Sequence, residues 1–302
     1  AAAAALLVGV SHPAAALAIT PPSVDPEMVP ADGRPGPEQA MRQSSRCRAA
    51  MSAPAPDVAL PAPGFTMLNI ARAWQHSTGN GVRVAVIDTG VNPSPRLPVV
   101  PGGDYVNGGD GLSDCDLHGT VVAALIAAAP QGSPMPPPMP PGPIAAPTNT
   151  KPVAAPAAVP PAAPSQVASD GLAGVAPHAT VISIRQSSEL FHAVNPGADD
   201  AGARTRAGTV ATLGRAIVHA ANLGASVINV SVTACLSADD PLDQRALGAA
   251  VWYAATVKDA VVVAAAGNEG EGDCRQNPAF DPLNADDPRD WDQVSTISAP
   301  SW

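Results

Sequence analysis

The 302 residues carry 16 basic and 26 acidic side chains, a formal net charge of −10, with no cluster of Lys or Arg. This excludes the basic patch or stripe on which nucleic-acid binding depends, so no nucleic-acid partner is expected. Hydrophobic residues make up 46% but aromatic ones only 3%, so Ala, Val and Ile must fill any core, which suits a parallel sheet buried under helices on both faces.

From the N-terminus, Ala1 to Val10 is a short apolar run, followed by the A-x-A pattern of Ala14-Ala15-Ala16-Leu17-Ala18. Residues 1–18 therefore read as the rear of a secretory signal peptide. The plainer alternative is an alanine-rich tail, and about ten residues are too few to span a bilayer. Ile19 to Pro63 is polar and proline-rich, contains Cys47, and reads as an extended N-terminal arm. From Gly64 onward regular patterns begin, with a strand at Val82 to Ile87 and an Ala-rich helix pattern after His118. Pro and Ala dominate Gln131 to Asp170. Proline removes backbone donors and clashes with the preceding turn, so this stretch is expected to be a disordered or polyproline-like loop.

Periodicity returns with a β-rich run at Thr180 to Ile184, then an irregular stretch, then a helix from about Thr209 to Leu223. Val210, Leu213, Ile217 and Ala221 share one face of that helix, and Gly224 stops it. A strand at Val227 to Val232, a helix from Pro241 to about Thr256 and an apolar strand at Ala260 to Ala266 follow. Such alternation predicts an α/β fold with a mostly parallel sheet. Four cysteines, Cys47, Cys115, Cys235 and Cys274, contain no CxxC pair, which argues against zinc and for two disulfides whose connectivity stays open among three possibilities.

Three segments can carry chemistry. Asp88, in Val84-Ala85-Val86-Ile87-Asp88-Thr89-Gly90, ends a buried strand, where open α/β sheets build their sites. A carboxylate there needs a partner such as an imidazole N–H to stay charged. It could instead cap the next turn, or serve an aspartic protease, which needs two carboxylates; the chain holds no second Asp-Thr-Gly or Asp-Ser-Gly. His118, in His118-Gly119-Thr120, opens a hydrophobic helix, and the glycine behind it permits close backbone approach. The positive end of the helix is expected to disfavour protonation and keep the imidazole available as a base. Standing alone it would be structural. Asn268 follows the apolar strand at Gly267-Asn268, and its amide can donate to a developing oxyanion. The plain reading is a strand-to-turn asparagine.

Taken in order, Asp88-Thr89-Gly90, His118-Gly119-Thr120, Gly174-Val175-Ala176-Pro177, Val227-Ile228-Asn229-Val230-Ser231 and Ala264-Ala265-Ala266-Gly267-Asn268 resemble the subtilases, from about Gly64 to Ser301. The resemblance implies a three-layer subtilisin-like fold with its C-terminal part missing, in a catalytic domain over residues 64–302 that the 131–170 loop interrupts and a 19–63 extension precedes. It implies a Ser-His-Asp triad with Asp88 orienting His118, His118 as base and acid, and Asn268 in the oxyanion hole. Ser231, Val232 and Thr233 would pair with an extended peptide substrate by strand addition. The family's usual calcium loops are not recognisable, so neither metal nor other cofactor is expected.

A narrower resemblance is to the mycosins, the membrane-anchored subtilases of type VII secretion. It rests on Pro101-Gly102-Gly103-Asp104-Tyr105-Val106, on Gly108 through Asp116, on Ile184-Arg185-Gln186-Ser187-Ser188 and on Asp243 through Ala250. It implies bridges Cys47–Cys115 and Cys235–Cys274, an extracytoplasmic location, type VII membrane components as partners, and anchoring by a C-terminal helix outside this chain. The family's nucleophile lies in a Gly-Thr-Ser-x-Ala segment. Ser295, Ser298 and Ser301 stand too near Asn268 and lack that pattern, so the nucleophile is absent here and the chain alone is expected to be inactive. The rival reading within the same resemblance is a structural component that stabilises the secretion complex without proteolysis.

Overall fold

The computed structural model describes residues 23–50, 60–130, 171–195, 206–237, 243–268, 283 and 296–300. Its elements, in chain order, are β1 (Met41–Gln43), α1 (Pro63–Met67), α2 (Ile70–Ala73), β2 (Arg83–Asp88), β3 (Val99–Asp104), α3 (His118–Ala127), β4 (Thr180–Arg185), β5 (Ser188–Ala193), β6 (Arg206–Ala207), α4 (Val210–Asn222), β7 (Val227–Val230), β8 (Ala234–Ser237), α5 (Arg245–Trp252), β9 (Val261–Ala264) and β10 (Thr296–Ala299). The expected signal segment, the 131–170 loop and Cys274 lie outside the described residues.

Five strands form one parallel sheet in the order β3-β4-β2-β7-β9. β2 is central, and Val84, Val86 and Ile87 align with Val181, Ser183 and Ile184 on one side. Because side chains alternate along a strand, Ala85, Ile87, Ile182, Ile184, Ile228 and Val230 point to one face and meet α4 and α5. Val86 and Val181 point the other way and meet α3. The sheet is therefore the middle of three layers, as the alternating pattern predicts. Ile87, Ile182, Ile184 and Ile228 are wholly buried, each contributing about 2 kcal/mol of transfer free energy.

The helices begin and end for local reasons. Thr209 caps α4 through a reciprocal pair with Thr212, and Gly224, at φ 76°, stops it. α5 starts at Arg245 and continues as a wider turn over Tyr253–Val257, so the expected helix from Pro241 covers a shorter span among the described residues.

Three expectations need correction. The irregular stretch after Ile184 contains β5 and β6, which join β1 in a small antiparallel sheet of order β1-β5-β6. Ser188, Glu189 and His192 interrupt its apolar residues, with Glu189 exposed and His192 half-buried, so the run lacks the continuous hydrophobicity that marks the main strands. The arm is held along the body: β1 pairs with β5, Asp32 binds His219 at 2.7 Å and Asn222 at 2.8 Å on α4, and Glu38 accepts from Thr209 Oγ1 at 2.7 Å. The strand expected to run to Val232 ends at Val230. Finally, β9 is apolar but lies at the sheet's edge, with Val261 60% and Val263 47% exposed.

Candidate active site

Parallel strands bring their carboxyl ends to one edge of the sheet, and Asp88 closes the central one. Its side chain is fully buried, whereas that of His118 is 54% exposed, so one end of the pair is dry and the other opens to solvent. His118 Nδ1 lies 2.7 Å from Asp88 Oδ1. An ionised carboxylate only accepts, so Nδ1 carries the proton and Nε2 is left as the basic nitrogen. The Thr89 amide donates to the same Asp88 oxygen at 2.7 Å, which helps to hold the carboxylate in place. In register beside Asp88 on β4 stands Arg185, but its guanidinium turns to Asp104 at 3.3 Å and to the ring of Phe191 at 4.5 Å.

Glycine sets how closely strand and helix approach. A Cβ on Gly119 would meet the Gly90 carbonyl oxygen at 2.2 Å and Asp88 Oδ1 at 3.0 Å. Gly90, at φ 100°, has the same constraint against the Ser113 carbonyl oxygen at 2.2 Å. The sequence-level expectation of close approach behind His118 therefore holds.

A frame of polar groups that the motifs did not single out surrounds this pair. The Asp114 carboxylate is buried and accepts from Thr89 Oγ1, Thr120 N and Thr120 Oγ1. Asn92 grips the Asp114 backbone on both sides, donating to its carbonyl and accepting from its amide, each at 2.9 Å. The Gly119 amide donates to Thr89 Oγ1 at 2.9 Å. Leu117, the N-cap of α3, has no capping side chain; Asp114 takes the Leu117 and Thr120 amides instead, while the nearer Asp116 turns to Ser188 and the Glu189 amide.

These acids decide the imidazole's charge. The hydrogen bond to Asp88 raises the His118 pKa above its ordinary 6.5; burial opposes this, and the fields of Asp88, Asp114 and Glu189 add to the rise. The expectation that the helix's positive end would dominate is thus overturned, because a carboxylate in direct contact outweighs partial charges spread along the first turn.

Asn268 stands exposed beyond β9, after Gly267 at φ 114°. β7 separates β9 from β2, so the ends of these two strands lie about 10 Å apart across the sheet, and Asn268 stands four residues past the end of β9. Ser231, Val232 and Thr233 follow β7 at this edge without regular pairing, and Ser231 Oγ accepts from Asn229 Nδ2 at 2.8 Å. Cys47 and Cys115 are bridged, tying the arm to the loop just before His118. The expected Cys235–Cys274 bridge involves Cys274, outside the described residues. Among the described residues no group of three His, Cys, Asp or Glu could hold a metal ion. The group that Asp88 Oδ1 holds is an imidazole, which does not suit the shared-proton carboxylate dyad of an aspartic protease.

A family model described as the subtilase family matches residues 79–300. Mycosin-2 of Mycobacterium tuberculosis is 54% identical over 95% of this chain and 62% of its own length. A structure of the MycP3 protease from the type VII (ESX-3) secretion system is 44% identical over 94% of this chain and 67% of that one, with a TM-score of 0.73. A chain in the structure of the periplasmic assembly from the ESX-5 inner membrane complex is 48% identical over 94% of this chain and 65% of that one, with a TM-score of 0.74. The chain thus spans about three fifths of the length of the curated relative it matches.

Proposed function

The chain belongs to the subtilase family, and from that premise we propose that it supplies the acid and base of a Ser-His-Asp endopeptidase acting outside the cytoplasm. The observation that carries this reading is the 2.7 Å contact between a buried Asp88 and a half-exposed His118. In this reading His118 Nε2 takes the proton of a serine hydroxyl as the oxygen adds to the scissile carbonyl. The same nitrogen then returns the proton to the departing amine, and water resolves the acyl-enzyme. Asp88 holds the tautomer and balances the imidazolium charge. Asn268 donates its amide N–H to the oxyanion, a contribution on the order of 3 kcal/mol to the barrier. Ser231, Val232 and Thr233, outside any strand pairing among the described residues, offer backbone groups to an extended peptide.

No serine in the Gly-Thr-Ser-x-Ala pattern occurs among the 302 residues, so this reading assigns no nucleophile to them. The test is fluorophosphonate labelling of the longer protein. Labelling that H118A abolishes supports the reading; labelling unaffected by H118A sinks it, and inhibition by pepstatin-like compounds would favour an aspartic mechanism instead.

A second reading is that the protein works as a part of a type VII secretion complex independently of proteolysis. The 48% identity to a chain of the ESX-5 periplasmic assembly favours it. In this reading residues 1–18 direct export, residues 19–63 form an extension to a catalytic domain over 64–302, and an anchoring helix stands outside the chain. Among the described residues no helix is long and apolar enough to cross a membrane. Complementation with full-length H118A separates the two: retained secretion supports the assembly role, lost secretion the protease.

A further inference from the structure

Asp114 has no part in that scheme, yet it is the most heavily engaged carboxylate beside the pair. It is buried and accepts five hydrogen bonds. Three reach Oδ1: from Thr89 Oγ1 at 2.9 Å, the Asp116 amide at 3.1 Å and the Leu117 amide at 2.8 Å. Two reach Oδ2: from the Thr120 amide at 2.8 Å and Thr120 Oγ1 at 2.6 Å. Thr89 follows Asp88 at the end of β2, and Thr120 sits in the first turn of α3, two residues past His118. One carboxylate thus clamps the strand end that carries the acid to the helical turn that carries the base.

The turn has no cap of its own, so its free amides depend on acceptors from outside the helix. Leu117 occupies the N-cap at φ 66°, a left-handed conformation, with an apolar side chain that cannot accept an amide. Thr120 Oγ1 extends the network by accepting from the Asn92 amide at 3.0 Å, and Thr89 Oγ1 by accepting from Gly119. We propose that Asp114 is a positioning residue for the reaction, locking the start of α3 onto the end of β2 so that His118 Nδ1 stays on Asp88 Oδ1. The proposal rests on the Asp88–His118 pairing of the proposed function. The charged groups facing His118 are Asp88, Asp114 and Glu189, and Glu189 is engaged by Arg48.

The test is proton NMR of the His118 ring in the 302-residue chain. D114N can present one acceptor oxygen but not two, so one set of donors loses its partner. T120V keeps the Asp114 charge while deleting the hydroxyl links to Asp114 Oδ2 and the Asn92 amide. Both variants are expected to lose the slowly exchanging low-field Nδ1 proton of His118 and to lower its titration midpoint. The His178 signal, bonded to Thr78 Oγ1 at 2.9 Å, should stay in place and report an intact fold. D116N removes the neighbouring buried carboxylate, which binds Ser188 and the Glu189 amide instead, and should leave the His118 proton as in the parent. If D114N and T120V keep that proton and only unfold more easily, Asp114 is a structural cap and the proposal is wrong. If D114N does not fold, T120V decides by itself. D88N separates the two levels: a His118 proton that survives D88N overturns the pairing, whereas loss in D88N with retention in T120V and D114N overturns the Asp114 clamp alone.

Discussion

Buried at the tip of the central strand, the Asp88 carboxylate keeps its charge by holding the Nδ1 proton of His118 and the Thr89 amide. That bond has a sign in pH. The folded-state pKa of His118 lies above the unfolded value of 6.5, so the pair stabilises the fold fully below pH 6.5 and loses this contribution as pH rises through the folded value. Urea denaturation of the parent and H118Q across this range should therefore show a stability gap that is widest in acid and narrows toward alkaline pH. A gap that widened instead would mean the imidazole is held neutral. Gly119→Ala places a methyl 2.2 Å from the Gly90 carbonyl oxygen, forcing α3 off β2. The same denaturation should show a loss of roughly 1–3 kcal/mol, with loss of the low-field His118 proton. Asp88 and His118 were legible in the sequence because each stands in a motif at the end or start of a patterned element. Asp114 was not, since its task depends on which backbone donors the fold gathers round it.

Four strands of the main sheet were legible from their apolar runs, and the helix over 210–222 from its periodicity and caps; β3 was not, because Pro101-Gly102-Gly103 interrupts its apolar start. Ile184 and Ile228 fill the layer under α4, in a core with few aromatics to take up slack. Truncating Ile184 to alanine should cost about 2–5 kcal/mol in denaturant titration, depending on how far neighbours relax. β5 and β1 were missed for a physical reason: Met41–Gln43 is three residues long with two exposed, and its partner lies some 150 residues away, so no local pattern announces the pair. What holds it is partly covalent. The Cys47–Cys115 bridge spans 68 residues, and chain-entropy arguments for a loop of that size give about 4 kcal/mol at most. A Cys47→Ser, Cys115→Ser double variant should unfold at lower urea by roughly 2–4 kcal/mol, most of it lost from the β1–β5 sheet by hydrogen exchange.

At the scale of the molecule, α4 and α5 cover one face of the sheet and α3 the other, while Val261 and Val263 of β9 remain exposed among the described residues. Among the described residues β9 pairs only with β7. The apolar run was readable, but the order of the strands was not, because every strand in a parallel sheet carries a similar hydrophobic signature. One further consequence comes from the sulfur bridge. Cys47 and Cys115 join the two ends of a long stretch of chain, so a single protease nick anywhere between them severs the backbone without releasing either piece. The nicked polypeptide would migrate as one band on a gel, and would separate into two only when a thiol reductant is added.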